Sequence, residues 1–176
     1  MPRPTIVFAS PKGGAGKSTA AVLLATELVG HKAAVTVIDA DPNKPLSHWA
    51  SRSGKPALLT VIENATEHTV IDTIDRASTR TPFVIVDLEG TGSMIVGFAM
   101  SRAGLVIILS QGSHLDAAEA AKAIQLVELQ EQAFRKKIPV CRPVHAHQSR
   151  HSRADVSKRR STVCREQNSD VPRADR

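Results

Sequence analysis

The stretch SPKGGAGKST, residues 10–19, constrains this chain more than any other. It lies between a short apolar run, TIVFA (5–9), and a segment with helical apolar spacing, STAAVLLATELVG (18–30), closed by Gly30. A buried strand, a glycine-rich turn and a helix opened by Lys17 and Ser18 together make a cradle for a nucleoside triphosphate. Glycines let backbone N–H groups curl around phosphate oxygens, and the helix N-terminus adds the positive end of its dipole. Lys17 is placed to bridge the β and γ phosphates, and the Ser18 hydroxyl to ligate Mg²⁺. The strict pattern G-x-x-x-x-G-K-[ST] fails at Pro11. The variant K-G-G-x-G-K-[ST] fits completely, as Lys12, Gly13, Gly14, Ala15, Gly16, Lys17 and Ser18. Thr19 is counted with them as nucleotide-binding, and a second lysine, Lys12, is left to explain.

The rest of the chain alternates in the same manner. Further buried strands are expected at AVTVIDAD (the 33–41 region), LLTVIE (58–63), PFVIVDLEG (82–90) and LVIILS (105–110), and IPV (138–140) begins another. Between them, helices are expected around Leu46–Arg52, Glu67–Ser78, Ser93–Arg102 and His114–Lys137. The cations Arg135, Lys136 and Lys137 fall in the last turn of the longest, where they favour a helix C-terminus. Continuous Val/Ile/Leu strands separated by helices predict an α/β fold: a mostly parallel, twisted sheet with helices on both faces.

Composition matters where this regularity stops. Residues 142–176 contain no Leu, Ile, Phe or Met and carry nine Lys/Arg against four Asp/Glu, whereas residues 1–141 carry 14 against 13. The net charge of +6 therefore describes a tail and not the body of the protein. The chain divides into a domain with the nucleotide loop, 1–141, and a basic tail, 142–176, too poor in apolar side chains to offset its own ordering entropy. Read one base out of frame, codons permissible for residues 141–155 can spell an apolar strand followed by a turn. The expectation is that the native frame is lost near Pro139–Cys141, leaving the fold incomplete at its C-terminus. A rival expectation makes the tail a DNA-binding arm, with Arg159 and Arg160 neutralising phosphates. His145, His147 and His151 with Cys141 or Cys164 show no recognised metal-ligand spacing.

The loop resembles the deviant Walker A loop of the ParA/MinD superfamily of P-loop ATPases. KGGAGKST, DADPNKPLSHWA and VDLEGTGS together are similar to the short ParA subfamily of plasmid-partition and conjugal-transfer ATPases, over residues 4 to about 140. The resemblance explains the second lysine. It implies that Lys12 reaches across a homodimer interface to the partner's ATP, in the manner of an arginine finger supplied in trans. It assigns Asp41 to positioning or activating the attacking water, Asp39 to the network around Mg²⁺ and water, and Asp87 to holding Mg²⁺, in part through water. Lys12, Lys17 and Asp41 are thus the catalytic set, and Ser18, Asp39 and Asp87 the metal set. The bland alternative for Asp39 and Asp41 is a pair of acids satisfying a nearby helix start. Asp87-Leu88-Glu89-Gly90 departs from the common D-T-P-P form, and Glu89 and Gly90 are expected in a segment that senses the γ phosphate.

By this resemblance the protein is a cytoplasmic, Mg²⁺-dependent ATPase of plasmid or chromosome partition. ATP drives its dimerisation, the dimer binds DNA without sequence preference, and a ParB-like partner stimulates hydrolysis. One alternative is a catalytically impaired nucleotide-binding or interaction protein with an incomplete sheet. A MinD-like membrane ATPase would need a C-terminal amphipathic helix with apolar anchors, which the tail lacks. An iron–sulfur carrier would need paired bridging cysteines, and a tyrosine kinase would need tyrosines, of which there are none.

Overall fold

In a computed structural model, the described residues are 4–10, 14–52, 54–90, 93–111, 114–141 and 144–145. Lys12 and Gly13 of the loop, and the tail from 146 onward, lie outside them. Six parallel strands form the main sheet: β1 (Thr5–Ala9), β2 (Val35–Ala40), β3 (Leu59–Glu63), β4 (Phe83–Leu88), β5 (Leu105–Ile108) and β7 (Val140–Cys141). Their order is β3-β2-β4-β1-β5-β7. A second small sheet pairs β6 (Ser110–Gln111) with β8 (Val144–His145), also in parallel. Ordered pairing thus extends past residue 141, where the sequence shows no strand period.

The strands sit where they do because both of their faces are covered. α1 (Lys17–Gly30) and α2 (Pro45–Ala50) share a core with Ile6, Phe8, Val35, Val37 and Ile85. α3 (Val70–Arg80), α4 (Met94–Arg102) and α5 (His114–Phe134) cover the other face, over Val7, Ile38, Val84, Val86 and Val106. Every residue of β1 and β2 is buried, as a strand packed on both sides demands. Each such Val, Ile or Leu side chain contributes roughly 1.5–3 kcal/mol.

Two helices differ from their sequence pattern. The one expected from Glu67 begins at Val70, after a turn in which the Thr66 N–H donates to the Thr69 hydroxyl. The one expected to reach Lys137 ends at Phe134, because Arg135 adopts a left-handed conformation with φ 49°. Lys136 and Lys137 consequently serve the return to β7 and not a last helical turn. Lys136 Nζ donates to the Ala103 carbonyl at 2.8 Å. Glu131 accepts from the Ile138 N–H at 2.7 Å and from Lys137 Nζ at 3.0 Å.

The chain leaves β1 toward β2 on one side of the sheet, while β4 connects to β5 on the other side of β1. Their connecting helices, α1 and α4, pack on opposite faces. The crevice at the C-terminal ends of these strands is where an open α/β sheet binds its ligand.

Candidate nucleotide site

The loop after β1 meets the sheet at that crevice. Gly14 and Gly16 have φ of 77° and 86°, a region that a side chain makes costly. A Cβ built on either would meet nothing within 4 Å, so the backbone there faces open space. Gly16 is the residue before α1, and its carbonyl accepts the first helical bond from the Ala20 N–H at 2.9 Å. Among the described residues no side chain caps this helix, and no acid stands in its first turn. Its N-terminal N–H groups and dipole are therefore left to an anion from outside the helix. Ala15 and Ser18 are half-buried and Thr19 is exposed, whereas Lys17 is buried at 7% exposure.

Opposite this end of α1, two carboxylates emerge side by side. Asp39 of β2 and Asp87 of β4 are partners in the parallel register, and Phe8 of β1 is the next partner of Asp87. Alternation along β4 places Asp87 on the same face as Ile85, the face that α1 covers. Asp39 and Asp87 are 1% and 0% exposed. Among the described residues, neither oxygen of Asp87 and only one of Asp39 has a hydrogen-bond partner. Burial is the main reason that the Asp87 carboxyl is pushed up to about 6, and the charges of Asp39 and Asp41 add to it. The Ser18 side chain and the Lys17 ammonium oppose the shift, but Ser18 does not satisfy either oxygen at full hydrogen-bonding geometry.

Asp39 Oδ2 accepts from both the N–H and the hydroxyl of Ser47, each at 2.8 Å. Ser47 is in the first turn of α2, whose own preceding residue, Lys44, is left-handed and gives no side-chain cap. Asp39 thus serves the start of α2 through Oδ2, while its Oδ1 is left without a partner among the described residues. Asp41 is half-buried, and its Oδ1 accepts from the Asn43 N–H at 2.8 Å and from Asn43 Nδ2 at 3.1 Å. It therefore shapes the turn into α2. The Lys44 ammonium reaches Asn64 Oδ1 beyond the end of β3. Past β4, Glu89 is exposed and Gly90 half-buried. Ser93 then caps α4, accepting from the Ile95 N–H at 3.4 Å.

The structure brings Gly14, Ala15, Gly16, Lys17, Ser18 and Thr19 into one turn, and sets Asp39 and Asp87 beside each other at the strand ends. Ser47 is the residue that sequence reasoning missed. A serine placed just after Pro45 at a helix start is the signal that could have found it.

Three unpaired, buried carboxylate oxygens close to a serine hydroxyl suit a hard cation with oxygen ligands. Among the described residues, no three His, Cys, Asp or Glu side chains gather as a metal cage. Mg²⁺ is commonly held by one or two carboxylates together with substrate phosphates, so the residues present fit that ion.

The sheet order, the glycine turn into an uncapped helix and the paired acids define a P-loop fold of the ParA/MinD type, a class of ATPases. The chain belongs to the VirC1 family, whose model, described as VirC1 protein, matches residues 4–173. It is 43% identical to Protein ParA of Rhizobium radiobacter over 135 residues, covering 77% of this chain and 61% of that protein. The chain thus spans about three-fifths of the length of that relative. Among solved structures, it is similar to an ATP complex of a McdA variant from Cyanothece, with a TM-score of 0.68 and 18% identity over 82% of this chain and 70% of the other. It is likewise similar to the MinC:MinD cell division protein complex of Aquifex aeolicus, with a TM-score of 0.64 and 19% identity over 80% of this chain and 68% of that one. Among the described residues, no helix is long and apolar enough to cross a membrane.

Proposed function

We propose that this chain binds ATP with Mg²⁺ in the 12–19 loop and hydrolyses it, as the nucleotide-driven component of a DNA-partition system. The observation that carries the proposal is the set of buried carboxylate oxygens without partners, on Asp39 and Asp87, facing the uncapped start of α1. A protein retains such groups at a cost, and a bound cation beside an anionic ligand offsets it.

Each residue has a stated part. The N–H groups from Gly13 to Thr19 cradle the phosphates, and Lys17 adds a buried positive charge to them. Ser18 and Asp87, with Asp39 in support, would hold Mg²⁺, which would supply neutralisation of charge on the phosphate oxygens. Asp41 orients water for attack on the γ phosphorus. The bond to the β-phosphate bridging oxygen then breaks, giving ADP and inorganic phosphate. Lys12 supplies its ammonium to the nucleotide of a second copy, so that ATP joins two protomers and hydrolysis releases them. Sequence-independent DNA and a ParB-like activator complete the cycle.

The test is ATP binding and turnover with Mg²⁺, on the wild-type chain beside Lys12→Ala and Asp41→Ala. Asp41→Ala is expected to keep ATP and lose hydrolysis, and Lys12→Ala to lose ATP-dependent dimerisation. ATP binding without turnover in the wild type would make the chain a nucleotide-binding module. Equal turnover in all three would refute the assigned roles.

A further inference from the structure

Asp39 divides its two oxygens between two tasks. Oδ2 is fixed by two bonds from Ser47, both at 2.8 Å, while Oδ1 is buried beside Asp87 and has no partner among the described residues. Ser47 is itself buried, at 6% exposure, in a helix of six residues. Fixing one oxygen fixes the plane of the carboxylate, and with it the direction in which the other presents its lone pairs. The same bonds satisfy an N-terminal N–H of α2 that has no cap of its own. α2 is therefore attached to the site through one carboxylate, and any change in where that carboxylate sits is a change at the start of α2.

We propose that Ser47 is a positioning residue for the divalent cation, and that its bonds to Asp39 make α2 the element that responds when the site is loaded. The proposal rests on the nucleotide and Mg²⁺ reading above. Groups that orient a metal-binding carboxylate typically cost 10–100-fold in metal affinity when removed. Ser47→Ala removes the hydroxyl bond and keeps the N–H bond, so the effect belongs at the lower end, about tenfold. Ser47→Thr retains a hydroxyl and is expected to restore the wild-type value.

The chain carries its own reporter. Trp49, the single tryptophan, lies in α2 two residues after Ser47 and packs partly buried against the core under α1. The experiment titrates Mg²⁺ into the wild type, Ser47→Ala and Ser47→Thr, each with a fluorescent ATP analogue. Trp49 emission and the analogue's own signal are read separately, and melting in EDTA checks that each variant is folded. The expected result has three parts. Trp49 emission changes with Mg²⁺ in the wild type. The Mg²⁺ midpoint of Ser47→Ala rises about tenfold, with analogue binding in EDTA unchanged. The midpoint of Ser47→Thr stays near that of the wild type. Equal midpoints for Ser47→Ala and wild type, a Ser47→Thr as weak as Ser47→Ala, or Trp49 emission unmoved by Mg²⁺ while the analogue binds would each overturn this inference alone. A wild type that binds no analogue with or without Mg²⁺ would overturn the underlying nucleotide reading as well.

Discussion

Replacing Asp87 with asparagine should stabilise the nucleotide-free protein, and the gain should grow with pH. Asp87 is fully buried, its oxygens lack partners among the described residues, and its pKa is pushed up to about 6 from the 3.8 of an unperturbed carboxyl. A carboxyl whose pKa is raised on folding favours the protonated state, so it imposes no ionisation penalty well below 3.8. The penalty builds as pH rises from 3.8 to 6 and is complete above that. At 1.36 kcal/mol per pH unit, it reaches about 3 kcal/mol at pH 7.5 and about half of that at pH 5. Asparagine is isosteric and cannot ionise. Its own buried amide adds a constant cost that does not vary with pH, so the difference between the two proteins isolates the charge. The assay is urea unfolding of both in EDTA at pH 5 and pH 7.5. The stability of Asp87→Asn relative to wild type should increase by about 1–2 kcal/mol between the two. A difference that is flat with pH, or one that shrinks as pH rises, would refute the claim that Lys17 and Ser18 compensate the buried charge of Asp87 only in part. Saturating Mg²⁺ and ATP should reverse the order, because they stabilise the wild type and not the variant.

Two further substitutions test the framework around the site. Gly16→Ala places a side chain at φ 86° where no atom obstructs it, so its cost is conformational, about 1–2 kcal/mol, and should appear as a lowered melting temperature together with weaker ATP binding by titration. Ile85→Ala, at a fully buried site, should cost roughly 2–5 kcal/mol by urea unfolding, while Leu23→Ala, 63% exposed on α1, should stay within about 0.5 kcal/mol.

The contrast between Ile85 and Leu23 shows where the sequence is transparent and where it is not. The strands could be read because they are buried on both faces, and a run such as FVIVDL has no other use than the centre of a sheet. The turn into α1 could be read because Gly14 and Gly16 answer a local demand of the backbone, with φ of 77° and 86°. α1 was legible as a helix but not in its facing. The apolar spacing does not say which side meets the sheet: Ala21 and Ala25 are fully buried, Leu24 and Leu28 pack partly buried, and Leu23 is 63% exposed. Small residues there let α1 lie close to the strands, and that choice depends on the sheet and not on the helix. The end of α5 was misplaced for a related reason. Three cations suit a helix terminus, but the left-handed Arg135 breaks the helix before them, and Glu131 then binds the returning chain. The bond between Asp39 and Ser47 joins a strand to the helix that follows it, a relation that spacing alone does not contain.

The ladder that pairs Asp39 with Asp87 has a further consequence. Side chains on a strand alternate between faces, so displacing β4 by a single step along its neighbours would carry Asp87 through the sheet to the side of α3 and α4 and bring Val86 or Leu88 to the crevice. No intermediate setting exists. The spacing of the two acids is thus quantised by backbone pairing across β1, β4 and β2, and is as hard to detune as the sheet is to unzip. A change in a helix or a connection can turn an acid's side chain, as Ser47 does for Asp39, but leaves this backbone pairing in place.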